Sequence, residues 1–491
     1  MRTGTRNQGL RVAWGRRVAV AAILLMAGAA PTLAAPVGDT IEDQDVTVAL
    51  QTELLVDEAV PSHKIDVETQ DGVVILSGTV DSLLAKDRAV KTAEAMKGVR
   101  SVVDQIEVMD TERSDPQIRT DVVEALASDP AADSYELDVD VEDGRVTLSG
   151  TVESFEEKDL SSIVAKGVKG VQGVSNLVTV DYETDRPDHE IESEIERRLE
   201  TDVKVDEMLM DVEVDEGVVS LSGTVGSAAE KTRAETDAWV AGVDDVKVDD
   251  LDVKWWARDD MRRKRNGSIL TDAEIHDAVK DAFLYDPRVA SFQPEIDVDN
   301  GMVTLTGDVT SLSAKRAAGD TARNTTGVWR VRNLLSVRPE VTPADAVLAE
   351  NVRDALRRDP YVDRFEITVM VINGKVYLYG DVDSGFEKSW AETVAGRVDG
   401  VYDVQNSLVV SRPPQWIDDL ELRQEVQDQL FWDPIVNSEN VSVSVEDGVV
   451  TLTGKVATWY ERRRATENAW DAGAHTVVNK LKVNHLSDFG S

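Results

Sequence analysis

The chain of 491 residues contains no cysteine. This absence excludes disulfide bonds, thiol nucleophiles, cysteine-ligated metal centres and lipid attachment through cysteine. Histidine is also scarce, and no two of the five histidines have the spacing of a metal site. No nucleophile motif or phosphate-binding loop is present either. We therefore expect no catalytic residue, no cofactor site and no metal site, and we expect the protein not to be an enzyme.

Basic residues are also few in comparison with acidic residues. Lysine and arginine total 53 against 93 aspartates and glutamates, which gives a formal net charge of −40. A chain of this charge repels nucleic acid at long range, so we expect no nucleic-acid partner. The deficit is concentrated in residues 36–254, which hold 20 basic and 55 acidic residues, whereas residues 255–491 hold 28 and 38. The two halves must therefore present different surfaces, although adaptation to salt would also explain an acidic surface.

Aromatic residues are rare in the first half of the chain. Between residues 36 and 230 there are only Tyr135, Phe155 and Tyr182, whereas 21 aromatic residues follow residue 230. An interaction surface that depends on aromatic side chains is therefore expected in the second half.

Long apolar runs are absent after the first 35 residues. The chain begins with five arginines and no acidic residue, continues with an apolar run at 18–30, and then offers small residues suited to cleavage. This layout is typical of a secretory signal peptide, and 13 apolar residues fall short of the roughly 20 that span a bilayer. The sequence predicts a cleaved signal peptide at 1–35 and a periplasmic protein.

One phrase of seven residues recurs six times and sets the organisation of the chain. Two clear copies are Gly144–Gly150 and Gly448–Gly454. The six closing glycines are spaced by 72, 73, 84, 73 and 74 residues. So regular a period indicates tandem structural repeats. The predicted repeats are 41–110, 114–183, 187–254, 269–339, 343–412 and 416–486, numbered 1 to 6 below, with an additional basic segment at 255–268.

Each repeat follows the same pattern of elements. It opens with apolar residues at i, i+4 and i+8, such as Val46, Leu50 and Leu54, which is one face of a helix. An alternating strand, the seven-residue phrase as a second strand, a helix ending in glycine, and a last strand follow. Two helices against one face of three strands make a two-layer α+β unit, so we predict six tandem α-β-β-α-β domains.

Two aspartates flank the opening helix of every repeat, for example Asp43 and Asp57 in repeat 1. The first is expected to cap the free N–H groups at the start of the helix and to meet the positive end of its dipole. The second lies where the helix ends, and in four repeats proline follows it. These recurrent carboxylates are interpreted as helix boundaries and not as catalytic groups.

A turn dipeptide separates the first two strands of every repeat, as in Asp143-Gly144 and Asn373-Gly374. Asp-Gly and Asn-Gly are preferred in tight hairpins because both central residues take positive φ. The stretch from Asp138 to Gly144 superficially resembles a calcium loop. Its valines belong to a strand, its glycine comes one position late, and Ser149 occupies the place of the closing glutamate, so a calcium site is not expected.

The repeat resembles the BON domain, a family named for bacterial osmotically inducible and nodulation proteins. The resemblance rests on the opening helix with its Asp-Pro end, the Asp-Gly hairpin, the G-x-V-x-L-x-G strand and the Gly-Val before the last strand. Repeats 1 and 3 lack the proline, and repeat 6 has Gly473-Ala474 in place of Gly-Val. The resemblance implies an exported protein without enzymatic activity that is linked to phospholipid interaction and to osmotic or envelope stress.

Several aromatic and basic residues are candidates for contact with lipid or a partner. Tyr285 and Trp432 occupy the same position in repeats 4 and 6, off the apolar face of the opening helix, where the other repeats have small or polar residues or arginine. Trp459 and Tyr460 precede Arg462 and Arg463 in repeat 6, a pairing that suits a membrane interface. The alternative for all of them is packing between repeats.

The basic segment supplies the remaining candidates. Residues 254–267 hold six basic and two acidic residues in an otherwise acidic chain. Trp255 continues the alternation of a strand and is expected to be core, whereas Trp256 and the run Arg262, Arg263, Lys264 and Arg265 are candidates for anionic headgroups. A hinge whose arginines neutralise neighbouring repeats is equally compatible with the sequence.

The leading hypothesis is an envelope-maintenance or osmotic-stress protein that docks weakly and multivalently to a phospholipid surface. The alternative is a periplasmic scaffold that binds an envelope protein through sheet edges or aromatic patches. The oligomeric state and the arrangement of the six domains stay open at this point.

Overall fold

A computed structural model describes residues 41–109, 113–129, 137–181, 186–257, 270–363, 365–411 and 417–483. The predicted signal peptide therefore lies outside the described residues. Within the described ranges, no helix combines the length and the apolar composition needed to cross a membrane.

Each repeat has an opening helix and a second helix. The opening helices are amphipathic because their apolar residues recur every four positions, and the second helices begin after a serine or threonine whose side chain caps the first turn. The opening helices are Asp43–Val56, Asp115–Ser128, Asp188–Thr201, Asp272–Leu284, Asp345–Arg358 and Asp419–Trp432. The second helices are Leu83–Glu94, Phe155–Lys166, Ala228–Ala238, Leu312–Arg323, Gly385–Arg397 and Trp459–Asp471. Short 3₁₀ turns at Ser62–Lys64, Glu207–Leu209 and Ser438–Asn440 precede three of the first strands.

The three strands of a repeat form one sheet in the order first, central, last. The first and central strands pair antiparallel as a hairpin, and the last strand returns through the second helix to pair parallel with the central one. The first strands are Ile65–Gln70, Leu137–Glu142, Met210–Asp215, Glu295–Asp299, Thr368–Ile372 and Val441–Glu446. The central strands are Val73–Val80, Arg145–Val152, Val218–Val225, Met302–Thr306 with Asp308–Val309, Lys375–Val382 and Val449–Val456. The last strands are Ser101–Val108, Gly173–Asn176 with Thr179–Val180, Asp245–Lys247 with Leu251–Val253, Arg330–Asn333 with Ser336–Val337, Asp403–Val410, and Thr476–Asn479 with Lys482–Val483.

This α+β architecture confirms the predicted element order. The hairpin is also as predicted: Asp71 has φ 50° and Gly72 has φ 73°, and the same pair of positive angles recurs in all six turns. The glycine that closes the phrase has a separate steric role. A Cβ on Gly78 would lie 2.0 Å from the carbonyl oxygen of Lys64, the residue just before the paired strand, so only glycine allows the two backbones to approach so closely.

The core of each repeat lies between its sheet and its two helices. In repeat 1 the opening helix buries Val46, Leu50 and Leu54, as the triplet predicts. The second helix turns a row of small residues towards the sheet, at Ala85, Ala89 and Ala93. Alanine lets the helix lie close to the strands, and the other repeats have alanine, or serine in repeat 2, at the positions of Ala89 and Ala93. At the position of Ala85, repeats 3, 5 and 6 instead bury Glu230, Glu387 and Glu461.

The predicted role of the first aspartate is wrong in one respect. Asp43 is the first helical residue and not the capping one, and its carboxylate reaches across to the hairpin. Oδ2 accepts from the N–H of Asp71 at 2.7 Å and Oδ1 from that of Gly72 at 2.9 Å. The same two bonds occur in every repeat. The aspartate therefore fixes the hairpin turn to the start of the opening helix, while its negative charge still favours the helix dipole.

The second aspartate ends the opening helix and also binds the second helix. Oδ1 of Asp57 accepts from the N–H of Ala59, an Asx turn. Its Oδ2 accepts from Nε of Arg88 at 2.6 Å, and Arg233 and Arg464 make the corresponding contact in repeats 3 and 6. In repeat 5 the indole N–H of Trp390 replaces the arginine.

The six repeats do not form a string but pair across the chain: 1 with 6, 2 with 5 and 3 with 4. The N–H of Lys97 donates to the carbonyl of Trp432 at 2.8 Å, and that of Lys169 donates to the carbonyl of Arg358 at 2.7 Å. The N–H of Thr326 makes the equivalent bond to Thr201 at 2.8 Å. In each pair, the residue before the glycine that follows the second helix donates to the last turn of the partner's opening helix.

A second contact joins repeats laterally, through the first residue of the second helix. Leu83 packs into the core of repeat 2, and Leu312 packs into that of repeat 5. Phe155 stacks on Trp239 of repeat 3 at 4.6 Å between ring centroids. Trp459 lies 5.5 Å from Trp329 of repeat 4. Pairing and lateral packing together join the six repeats into one compact unit.

The first prediction concerns the aspartate that joins helix and hairpin. Asp43→Ala removes two hydrogen bonds to a charged acceptor, each worth about 1.5–3 kcal/mol, so local opening of the turn becomes easier. We expect the amides of Asp71 and Gly72 to exchange with deuterium at least about tenfold faster. Asp45→Ala is the matched control, because Asp45 lies in the same helical turn and makes no contact with the hairpin. If both variants accelerate the exchange of these amides equally, the interaction of the carboxylates with the helix dipole, and not the two hydrogen bonds, stabilises the turn.

Candidate functional site

Tyr285 lies between repeats 3 and 4 and not on a free surface. Its hydroxyl donates to Oε1 of Glu194 at 2.8 Å, and the guanidinium of Arg198 lies 4.4 Å from the ring centroid. Burial and the neighbouring Glu194 raise the pKa of Tyr285 to about 12. Packing between repeats, the alternative that the sequence left open, accounts for this tyrosine.

Trp432 occupies the corresponding position between repeats 6 and 1. Its ring is half-buried and packs edge-on against Phe431 at 5.0 Å. The Nζ of Lys97 from repeat 1 lies 4.9 Å from the Phe431 ring, next to the backbone bond that Lys97 donates to Trp432. This aromatic pair therefore supports the contact between the first and last repeats.

The four candidates of the second helix in repeat 6 are also engaged internally. Trp459 contacts Trp329, and Tyr460 lies 5.0 Å beneath the guanidinium of Arg463. Arg463 donates to the carbonyl of Arg323 at 3.0 Å and to the side chain of Asn324 at 2.9 Å, at the end of the second helix of repeat 4. Arg462 donates to two carbonyls of its own last strand, those of Asn479 and Leu481.

The segment after repeat 3 is different. Trp255, expected to be core, is half-buried with Lys97 Nζ 5.7 Å from its ring, so it meets repeat 1 at the edge of the core. Trp256 is 40 % exposed. Ala257 is fully buried and anchors the start of the segment. The run Arg262, Arg263, Lys264 and Arg265 lies outside the described residues.

Sequence reasoning missed one surface, the open face of the repeat-5 sheet, which faces away from its helices. Met370, Ile372 and Tyr379 are 42 %, 47 % and 41 % exposed there. The signal was available in the alternation of the first strand. Outward positions are acidic in repeats 1 to 4 except for Gln70, whereas repeat 5 has Thr368, Met370 and Ile372.

A polar junction joins repeats 2, 3 and 4. Arg198 lies at its centre: it contacts Glu156 of repeat 2 at 2.9 Å, donates to the carbonyl of Trp239, and stacks on Tyr285 of repeat 4. Asp237 is fully buried beside it, 3.6 Å from Arg198 and 3.0 Å from Arg233. One guanidinium thus ties three repeats together.

This junction borders a cavity of about 640 Å³ between repeats 2, 3, 4 and 5. Its charged lining consists largely of ion pairs, such as Arg288 with Asp286 and Arg316 with Glu392. Burial and the neighbouring Asp202 raise the pKa of Asp237 to about 7, and burial raises that of Asp359 to about 6. Within the described ranges, no three histidine, aspartate or glutamate side chains group as a metal site would. We therefore interpret the cavity as part of a charged seam, by which we mean the interface between these repeats that is lined by ion pairs.

A family model for the BON domain matches the chain six times, at residues 42–110, 114–182, 187–254, 271–339, 344–412 and 418–485. The chain belongs to the BON-domain family. The resemblance inferred from the turn and strand motifs is thereby confirmed, and all six helix–sheet units are BON domains.

Two curated relatives share part of this chain. Osmotically-inducible protein Y of Escherichia coli is 33 % identical over 147 residues, which cover 28 % of this chain and 73 % of that protein. Outer membrane lipoprotein DolP of Haemophilus influenzae is 32 % identical over 142 residues, covering 28 % and 74 %. Among solved structures, the C-terminal domain of CdsD, a structural protein of the type III secretion system of Chlamydia trachomatis, matches at 16 % identity. That match covers 39 % of this chain and 90 % of that one with a TM-score of 0.12, too low to carry an argument.

The second prediction follows from Asp237. In the unfolded chain its pKa is about 4, so between pH 4 and pH 7 the folded state binds more protons and stability falls as pH rises. Asp237→Asn removes this dependence. Between pH 5 and pH 7.5 we expect the free energy of unfolding of the wild type to fall by about 2 kcal/mol more than that of the variant. Urea unfolding followed by tryptophan fluorescence measures both.

Asp245→Asn provides the control, because Asp245 is an exposed carboxylate of the same BON domain. Its pH profile should follow that of the wild type. An unchanged profile for Asp237→Asn would contradict the assignment of the pH dependence to the buried junction.

Proposed function

We propose that this protein is a non-enzymatic, exported BON-domain protein that maintains the cell envelope or protects it under osmotic stress. The names of its two relatives, one osmotically inducible and one an outer membrane lipoprotein, support this broad assignment. We further propose that the protein resides in the periplasm after loss of its signal peptide and that it docks to the phospholipid surface.

The observation that carries the docking proposal is the exposure of Trp256 at the end of domain 3. It immediately precedes the most basic stretch of the chain, and residues 258–267 hold five basic and two acidic residues. An exposed tryptophan beside clustered arginines is suited to the interface between headgroups and acyl chains. The remaining candidates contribute less, since Tyr285, Trp432, Trp459 and Arg463 already make contacts between domains.

Attachment through one such segment is expected to be weak. A basic residue near an anionic surface contributes about 1 kcal/mol, and the net charge of −40 opposes approach. Docking would therefore depend on ionic strength, because salt screens the attraction of the basic segment and the repulsion of the acidic domains alike.

The rival proposal is a periplasmic scaffold that binds an envelope protein. Its supporting observation is the exposed sheet face of domain 5, where the outward positions of the first strand hold Thr368, Met370 and Ile372 instead of the mostly acidic residues of domains 1 to 4.

The third prediction tests lipid docking with the full mature chain. Vesicles of phosphatidylglycerol and phosphatidylcholine are sedimented with the protein at increasing salt. Replacing Arg262, Arg263, Lys264 and Arg265 by glutamine should weaken binding by at least about a hundredfold, given about 1 kcal/mol per charge. Trp256→Ala should weaken it further.

Tyr285→Phe is the matched control, because it changes an aromatic residue at a contact between domains and leaves the basic segment intact. It should bind vesicles as the wild type does. Failure of the wild type to bind at low salt would exclude lipid docking and leave the scaffold proposal.

A further inference from the structure

The open face of the domain-5 sheet carries a continuous apolar and aromatic surface. In the antiparallel register Met370 lies opposite Tyr377, and Thr368 lies opposite Tyr379. Tyr377 and Tyr379 lie on the central strand, flanked on the other side by Gln405 and Ser407. Met370, Ile372 and Tyr379 are each more than a third exposed. We call these three residues, with Tyr377, the tyrosine face.

The fold does not require this surface. The three outward positions of the first strand hold eleven acidic residues and one glutamine in domains 1 to 4, and two serines and a glutamate in domain 6. Those domains form the same sheet with the same register. The apolar residues of domain 5 therefore stand where folding tolerates carboxylates, and exposed apolar patches of this kind mark interaction sites.

The tyrosine face already holds one ammonium group of its own. The Nζ of Lys375 lies 2.6 Å from Oδ2 of Asp403 and 5.7 Å from the centroid of Tyr377. The cation is thus placed beside both a carboxylate and an aromatic ring, two groups that attract it. Tyr379 has a comparable setting, since the exposed Asp381 follows it by two residues on the same strand and faces the same side.

The charge around the face selects the partner. Glu366 and Asp381 are exposed at its edge, Asp403 is half-exposed, and Lys375 is paired with Asp403. The chain as a whole carries −40. A second copy of this chain or an anionic surface is repelled at long range, whereas a cationic polypeptide is attracted and oriented. Aromatic residues at the centre and charges at the rim are the arrangement of protein-binding hot spots.

We propose that the tyrosine face binds a basic polypeptide segment in which apolar residues alternate with lysine or arginine. The apolar side chains of the segment pack on Met370, Ile372 and the tyrosine rings, and its cations pair with the rings and with the acidic rim. This inference names the partner chemistry for the scaffold proposal and is independent of lipid docking through residues 254–267.

The fourth prediction uses the full mature chain and a fluorescent ten-residue peptide of alternating leucine and lysine, followed by anisotropy. Two further peptides separate the contributions: one alternates serine with lysine, the other leucine with glutamate. We expect the leucine–lysine peptide to bind at least about tenfold more tightly than either, since both apolar contact and charge contribute. Tyr379→Ala should weaken binding by about tenfold, as expected for an aromatic hot spot.

The double variant M370D/I372D gives domain 5 the acidic pattern of the other domains. It adds two negative charges but removes the apolar surface, so binding should become at least tenfold weaker if the tyrosine face carries it. S442D/S444D is the matched control, since it adds two carboxylates to the outward side of the same strand in domain 6, at the positions that correspond to Thr368 and Met370. Binding by this variant should be unchanged or slightly tighter.

Four outcomes would overturn the proposal. Tighter binding by M370D/I372D would show that unspecific charge attraction is responsible. Equal binding of the serine–lysine peptide would show that the apolar surface contributes nothing. A wild-type dimer in sedimentation equilibrium that M370D/I372D dissociates would identify the face as a self-interface. Vesicle binding abolished by M370D/I372D, and not by loss of the basic segment, would reassign the face to lipid.

Discussion

The arrangement of this protein depends on covering the helix layer of each BON domain with other domains. A unit of about 70 residues buries too little surface to be more than marginally stable alone. Its sheet keeps one face open to solvent, and its two helices meet neighbouring domains. The first residue of the second helix enters the next core at Leu83 and Leu312, and the end of the opening helix accepts a backbone bond from a paired domain. Six weak units thereby form one body.

Covering the helices places charge inside the molecule. Five of the six aspartates that end the opening helices are buried. Three of the six, Asp57, Asp202 and Asp433, are matched by an arginine of the second helix. A buried carboxylate is tolerated only when paired, and removing one partner leaves an uncompensated charge. Asp237 is the more extreme case. It shares Arg233 with Asp202, and its side chain is completely buried. Folding and titration are therefore coupled at the junction of domains 2, 3 and 4. The open sheet faces remain outside this seam and are available for variation. Domain 5 carries Met370 and Ile372 on this face, where domains 1 to 4 carry mostly acidic residues.

Much of the single domain could be predicted from the sequence, because it depends on local rules. The spacing of Val46, Leu50 and Leu54 predicts a helix face, and Asp71-Gly72 predicts a turn with positive φ. The partner of Asp43 could not be predicted, since only the folded unit brings the hairpin to the start of the helix. Tyr285 and Trp432 lie off the apolar face of their helix and would be exposed in an isolated domain. Their partial burial follows from the pairing of domains, 3 with 4 and 6 with 1, and local periodicity does not predict which domains pair. The tyrosine face could be identified from the sequence, but only by comparing the same strand positions across all six repeats.

The paired arrangement of the domains requires direct contact between the first and the last domain. Glu53 accepts a hydrogen bond from Gln429 at 2.5 Å, although the two residues are 376 positions apart. Because the chain has no cysteine, Glu53→Cys and Gln429→Cys together introduce the only two thiols. Treatment of this variant with a short bis-maleimide at low protein concentration should yield an internally cross-linked monomer within minutes. A chain whose six domains extend as a string would react slowly and mainly between molecules, and that result would contradict the paired arrangement.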